Sequence, residues 1–282
     1  MINVKIADRE VFPIGFGTWT IGDDLSKRKN EIDALRLGIE NGLQVIDTAE
    51  MYGRGTAEKL VAEAITPYPR EKLFLISKVL PENASKKQLV KSLDQSLNRL
   101  KTDYLDQYLL HWQGDIPLLE TVEALETERK KGKIHSWGVS NLDTEELQKV
   151  LSFEVGKNCA ANQIRYNLGD RGIEFDLQPL MRQHNIPLIA YAPVAKGDRS
   201  GKHFTQQKGL MEIAERHQIN VFQLLLAWCI RDGQTIAIPK SSNPEHVLAN
   251  LQAAQVRLSS EDLATIDQLY PKPSEKIPLA LW

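Results

Sequence analysis

The chain has 282 residues, which suits one large α/β barrel or two ordinary domains, and it can bury a full core without staples. Hydrophobic residues are 42%, charged residues 26% and the net charge is -2, so the balance gives no electrostatic case for nucleic acid or an anionic membrane. Cys159 and Cys229 are the only cysteines, too few for a disulfide framework and wrongly spaced for a paired-cysteine metal site. The N-terminal MINVKIADRE carries charges where a signal peptide needs an apolar core, and no apolar run approaches the ~20 residues of a membrane span, so the expected location is cytoplasmic.

In chain order, Val4, Ile6 and Val11 alternate before Pro13 and predict a hairpin lid under a barrel bottom. A unit then repeats: a short apolar run, a loop, and an amphipathic stretch of helical period. The apolar runs are 14–18, 43–47, 73–78, 104–111, 135–140, 160–163, 187–191 and 235–238. Between them, Ile32, Leu35, Ile39 and Leu43 step by three or four residues. So do Leu89, Leu93, Leu97 and Leu100, with Ser85 as N-cap. Leu118, Val122, Leu125 and Arg129 follow the same rule, and Gly132 ends the stretch. Segments 209–217 and 221–231 predict one helix pair, and 243–253 and 259–269 a second.

Eight strand–helix repeats predict a (β/α)8 TIM barrel with an N-terminal β-hairpin, one domain over residues 1–282. A doubly wound sheet shares the alternation. Its dinucleotide form needs a glycine-rich turn after the first strand. Here GFGTWTIG has Gly15 and Gly17, but Thr20 occupies the next required position, so the fingerprint fails.

Barrel chemistry sits where the strands end. Asp47, Lys78 and His111 end three consecutive predicted strands, and Tyr52 lies in the loop after the first of these. Later strands end on Ser140 and Asn141, on Gln163, on Tyr191, and on Lys240 and Ser241. A tyrosine titrates near ~10, and bringing it to about 7 takes ~4 kcal/mol. An ammonium ~4 Å away supplies about that much at an effective dielectric near 20. Asp47 then keeps Lys78 charged, Lys78 acidifies Tyr52, Tyr52 protonates an oxygen that gains charge, and His111 hydrogen-bonds that oxygen.

These residues resemble the aldo-keto reductase superfamily over nearly the whole chain. The segments that carry the resemblance are GFGTW (15–19), IDTAEMYG (46–53), SK (77–78), LLHW (109–112), GKIHSWGVSN (132–141), NQIRYN (162–167), YAP (191–193) and IPKS (238–241). The chain looks most similar to small bacterial aldehyde or methylglyoxal reductases. The resemblance implies hydride transfer from a nicotinamide cofactor to a small-molecule carbonyl, with small 2-oxoaldehydes such as methylglyoxal and aromatic aldehydes as leading substrates. It gives Asp47, Tyr52, Lys78 and His111 the catalytic places. It gives Ser140, Asn141 and Gln163 the carboxamide and Tyr191 the stacking face. Ala192, Pro193, Val194, Lys196 and Asp198 fall in the loop near the pyrophosphate. Ile238, Lys240, Ser241, Ser242, His246 and Asn250 fall around the adenosine end. Trp19 and Trp112, with Tyr52 and His111, line the substrate pocket.

Lys240 suits a 2′-phosphate, which implies NADPH. His246 stands where many NADPH-dependent members carry arginine and Ala249 where many carry glutamate, so NADH stays open. Two other roles stay open: a non-catalytic NADP(H)-sensing subunit, and alcohol oxidation with NAD. A monomer is expected, without nucleic acid, membrane or metal. Tyr68 and Lys72 in YPREK copy a dehydrogenase spacing, but Pro67 and Pro69 predict a loop there. Lys130, Lys131 and Lys133 read as a helix C-terminus, and His184, His203 and His217 have no metal-ligand spacing.

Overall fold

The computed structural model describes residues 3–195 and 203–281. Strands β1 (Val4–Ile6) and β2 (Arg9–Val11) form an antiparallel hairpin with Val4 opposite Val11. Eight parallel strands follow: β3 (Phe16–Gly17), β4 (Val45–Asp47), β5 (Phe74–Val79), β6 (Leu105–Leu110), β7 (Ile134–Ser140), β8 (Cys159–Arg165), β9 (Leu188–Tyr191) and β10 (Thr235–Ala237). Each pairs with the next in sequence. The ring closes where Ile14 bridges Ala237, with Gly15 N donating to Ala237 O at 2.8 Å and Ala237 N to Pro13 O at 2.9 Å. The seam is tight: a Cβ on Gly17 would lie 2.7 Å from Ile238 O, so only glycine fits.

The outer layer consists of α1 (Arg28–Glu40), α2 (Thr56–Ile65), α3 (Lys86–Leu100), α4 (Leu118–Lys130), α5 (Thr144–Ser152), α6 (Leu177–Gln183), α7 (Lys208–Arg216), α8 (Val221–Cys229), α9 (Pro244–Gln252) and α10 (Ser260–Leu269). Ser85 caps α3 through Gln88 N, and Asn243 and Ser259 cap α9 and α10, as expected. Helix α1 ends at Glu40 because Gly42 turns left-handed at φ 95°, so Leu43 leads into β4 instead. The sequence reading named no helix at α2, α5 or α6. Buried Ala57, Leu60, Val61, Ala62, Ala64 and Ile65 surround most of α2 and leave only a narrow polar stripe at Lys59 and Glu63, while α6 has only seven residues.

Strand alternation sorts the core into two clusters. On β5, Phe74 and Ile76 join the cluster inside the ring, and Leu75 and Val79 face the helices. On β6, Leu109 points in while Tyr108 and Leu110 point out. Val45, Ala161, Ile189 and Ile236 complete the inner set, and Val4, Ile6 and Val11 plug it from below. The hairpin is therefore the expected lid. Arg9 pins it by pairing with buried Asp106 and donating to Leu73 O at 3.1 Å. Two residues beyond four of the inner apolar positions stands a polar one: Asp47 above Val45, Lys78 above Ile76, His111 above Leu109, Gln163 above Ala161.

The sequence decoys resolve as expected. Tyr68 donates to Glu40 Oε1 at 2.7 Å and precedes a single 3-10 turn at Arg70–Lys72, not a helix. Lys131 pairs with Glu128 and Lys133 with Asp94. His217 Nε2 lies 2.8 Å from Asp262 Oδ2. A cavity of about 740 Å³ opens at the bottom of the barrel between β1, His135, Lys157 and His184, remote from the polar tier. Its Arg129 and Lys157 are already paired, with Glu126 and Glu154.

Gly138→Ala tests the packing of the ring. Its Cβ would meet Ala161 O at 2.5 Å and Leu109 Cδ2 at 3.0 Å, inside the ring where nothing can yield cheaply. Urea denaturation should show a loss of about 1–3 kcal/mol. A wild-type midpoint would mean that the strands relax there at no cost.

Candidate active site

The polar tier begins with the turn after β4. Thr48 N donates to Ile76 O at 2.8 Å, which keeps the chain on the sheet as it leaves the strand. Tyr52 N reaches Ala49 O at 3.1 Å. Gly53, Arg54 and Gly55 then follow in succession at φ 54°, 53° and 87°. A run of left-handed residues reverses the chain within one turn and leaves Tyr52 buried over the barrel mouth. A Cβ at Gly53 would lie 2.0 Å from Thr56 Oγ1, so glycine is required there.

Lys78 ends its strand facing inward and is 0% exposed. Its Nζ donates to Asp47 Oδ2 at 2.8 Å, to Thr48 O at 2.8 Å and to Tyr52 Oη at 3.0 Å. An ammonium has three hydrogens and no lone pair. All three are therefore committed, and the proton of Tyr52 must point elsewhere. Gln163 Nε2 donates to the other oxygen of Asp47 at 2.7 Å. The carboxylate thus faces two donors and holds Lys78 in place. Among the expected residues, Asp47, Tyr52, Lys78 and His111 do come together.

The electrostatics differ from the sequence expectation in one respect. Burial, with the Asp47 charge, raises the Tyr52 phenol well above its ordinary value instead of lowering it. Burial also pushes Lys78 down, while Asp47 and then Glu58 favour its charged form. Desolvation of the buried phenol outweighs the neighbouring ammonium. Tyr52 is therefore a stored proton, not a pre-ionised phenol. Burial, with Lys78 as a second cause, drives His111 down to about 2, so its imidazole is neutral at ordinary pH. Its Nδ1 is buried without a hydrogen-bond partner.

A second cluster adjoins the first. Asn141, left-handed at φ 57°, donates from Nδ2 to His111 O at 3.0 Å and to Ser140 Oγ at 3.1 Å. Tyr191 Oη donates to Asn141 Oδ1 at 2.9 Å, and Ser140 Oγ donates to Gln163 O at 2.9 Å. Ser140, Asn141, Gln163 and Tyr191 thus form one connected wall beside His111. Ala192 continues it at φ 49°, with Pro193 buried and Val194 half-buried. Trp19 is 44% exposed and meets Tyr52 edge-on at 5.1 Å, while Trp112 lies 4.8 Å from His111. Farther out, Ile238 belongs to the inner core, Lys240 and His246 are exposed, Ser241 and Ser242 are half-buried just before α9, and Asn250 is half-buried in its last turn. Lys196 and Asp198 lie outside the described residues.

The family model for the aldo/keto reductases matches residues 13–271. The chain belongs to the aldo/keto reductase family. Methylglyoxal reductase YeaE of Escherichia coli strain K12 is 48% identical over 266 residues, covering 94% of this chain and 93% of that protein. Glyoxal reductase of Bacillus subtilis strain 168 is 32% identical over 243 residues, 84% of this chain and 82% of its own. An aldo-keto reductase from Klebsiella pneumoniae, solved in complex with NADPH, matches with a TM-score of 0.97 at 47% identity, covering 99% of each chain.

Within this aldo/keto reductase, the sequence pattern does not reveal two contributors to the geometry, Thr48 and Thr18, nor that Gln163, expected at the carboxamide, also holds Asp47. Thr48 acts through its carbonyl, which no side-chain pattern reveals. Gln163 holds Asp47 from 116 residues away. Thr18 Oγ1 donates to Asp47 O at 2.9 Å and ties the first loop to the site.

His111 makes acid stability a direct readout. Its folded value lies below the ordinary 6.5, so below that pH the unfolded chain binds a proton that the native chain refuses. Its contribution is complete above about pH 6.5 and falls by about 1.4 kcal/mol per pH unit as pH drops toward the folded value. His111→Gln should have a correspondingly flatter stability curve between pH 6 and 5. Parallel curves would show that the imidazole is protonated in the folded enzyme.

Proposed function

We propose that this aldo/keto reductase reduces aldehydes and ketones to alcohols with NADPH, and that Tyr52 is the proton donor. The observation that carries this is the saturation of Lys78. With its three hydrogens on Asp47, Thr48 and Tyr52, the phenol proton is left for a ligand at the mouth. The methylglyoxal and glyoxal reductase names of the relatives support small 2-oxoaldehydes as substrates, and the Klebsiella structure supports NADPH.

The donor set fits that cofactor. Lys240 is exposed beside the start of α9 and has no ion-pair partner among the described residues, which suits a phosphate. Ser140, Asn141, Gln163 and Tyr191 would hold the nicotinamide end. NADPH, when bound, supplies the hydride. The chain's own part is the proton. As the carbonyl oxygen gains charge, Tyr52 Oη gives up its hydrogen to it. The phenolate that remains faces Lys78 Nζ at 3.0 Å, so the ammonium stabilises the charge as it forms. His111, neutral, offers a ring N–H to the same oxygen without competing as an acid. Asp47 and Gln163 hold Lys78 in register.

Trp19 and Trp112 flank Tyr52 and His111, so the mouth is apolar. Short and aromatic aldehydes fit it better than polyols. The proposal treats the chain as a single-domain monomer. A cytoplasmic setting is part of it and rests on two buried, unpaired cysteines.

NADPH oxidation with methylglyoxal and a panel of aromatic aldehydes tests the reading. Tyr52→Phe should lose at least about 100-fold in kcat and keep its NADPH affinity. Turnover at the wild-type rate would remove Tyr52 from the role. Lys240→Ala should raise KM for NADPH about tenfold and leave KM for NADH nearly unchanged. Equal effects would show that Lys240 does not meet the 2′-phosphate.

A further inference from the structure

We infer that the buried Glu58–Arg99 ion pair is a positioning device for this reaction: Arg99 is the floor under the Tyr52 turn, and Glu58 fixes that floor and sets a second carboxylate behind Lys78. The inference rests on the reading of Tyr52 as proton donor. Neither residue touches the reacting atoms.

The geometry is specific. Glu58 on α2 is 0% exposed. Ser77 Oγ donates to its Oε1 at 2.6 Å, and Arg99 Nε donates to its Oε2. Ser77 is the β5 residue just before Lys78, on the opposite face of the strand. The carboxylate therefore sits against the back of the strand that carries the lysine, with Arg99 on its far side. Glu58 is accordingly the nearer end of the pair, and its charge favours the ammonium of Lys78.

Arg99 reaches up from α3 and also donates from Nη2 to Ser96 Oγ at 3.0 Å. Its side chain passes directly beneath Gly55: a Cβ there would lie 2.6 Å from Arg99 Cδ and 2.7 Å from Nε. Gly55 closes the left-handed run that reverses the chain after Tyr52. Such a run has little intrinsic stability, since non-glycine residues such as Arg54 pay for positive φ. Something rigid must hold it, and the flat guanidinium locked between Glu58 and Ser96 does so. An ordinary structural ion pair would need neither the contact under Gly55 nor the contact behind Lys78.

Removing one partner alone would strand a buried charge and confuse folding with function. The first variant is therefore E58Q/R99M, which removes both charges. It should melt close to wild type and bind NADPH with unchanged Kd, yet lose kcat about tenfold through a misplaced Tyr52. The alkaline limb of its kcat–pH profile should move to lower pH, because Lys78 has lost the nearer carboxylate. The second variant, R99K, keeps both charges but loses the flat floor and its contact with Ser96. Its kcat should fall while the alkaline limb stays in place. Wild-type kcat with an unmoved limb in the folded double variant would overturn the inference. Should the double variant not fold, R99K decides alone, and wild-type kcat there would overturn it equally. Tyr52→Phe runs as the control. Turnover in that variant sinks the proton-donor reading itself, whereas an inactive Tyr52→Phe beside fully active E58Q/R99M and R99K sinks only the positioning role.

Discussion

A lysine ammonium sealed inside a barrel is the constraint on which this molecule depends. Taking such a charge out of water costs several kcal/mol unless every hydrogen finds an acceptor. Lys78 finds a carboxylate, a backbone carbonyl and a phenol, one for each hydrogen. That arrangement demands an inward position at the end of β5, a carboxylate at the end of β4, and a turn that brings Tyr52 back over both. It also uses up the lysine completely. The uncommitted proton of this cluster therefore belongs to tyrosine, by simple counting of donors and acceptors.

The barrel supplies these positions through strand alternation. Inside the ring, an apolar tier of Val45, Ile76, Leu109, Ala161 and Ile189 lies below a tier of Asp47, Lys78, His111, Gln163 and Tyr191. The hairpin seals the apolar tier from beneath, and Arg9 fastens it to Asp106. Apolar groups thus fill the low end, and polar groups concentrate at the other. Burial of that polar tier explains its ionisation pattern. It keeps Tyr52 protonated and His111 neutral, and it makes Lys78 dependent on its carboxylates.

Much of this was legible in the sequence. Apolar runs that end on a charged residue marked β4, β5 and β6, and the residues they ended on are those that meet in the site. The alternation of Val4, Ile6 and Val11 marked the hairpin. The helices that were missed failed for physical reasons. Helix α2 is buried on most sides and leaves only a narrow polar stripe at Lys59 and Glu63, and α6 is too short for two periods. The direction of the Tyr52 shift was also misread. A cation nearby is visible in sequence, but the desolvation that outweighs it is a property of how deeply the ring is buried.

By itself, the sequence determined the repeat, the period of each strand, and the identity of the polar residue at each strand end, because these depend only on local spacing. It also determined the family, because its motifs recur in order along the chain. Tertiary structure alone decided which hydrogens Lys78 gives to whom, that Gln163 steadies Asp47 across 116 residues, and that Arg99 lies beneath Gly55. Those relations join segments far apart in the chain. They arise only when eight strands close into a ring and side chains with no sequence relation are brought within hydrogen-bonding distance.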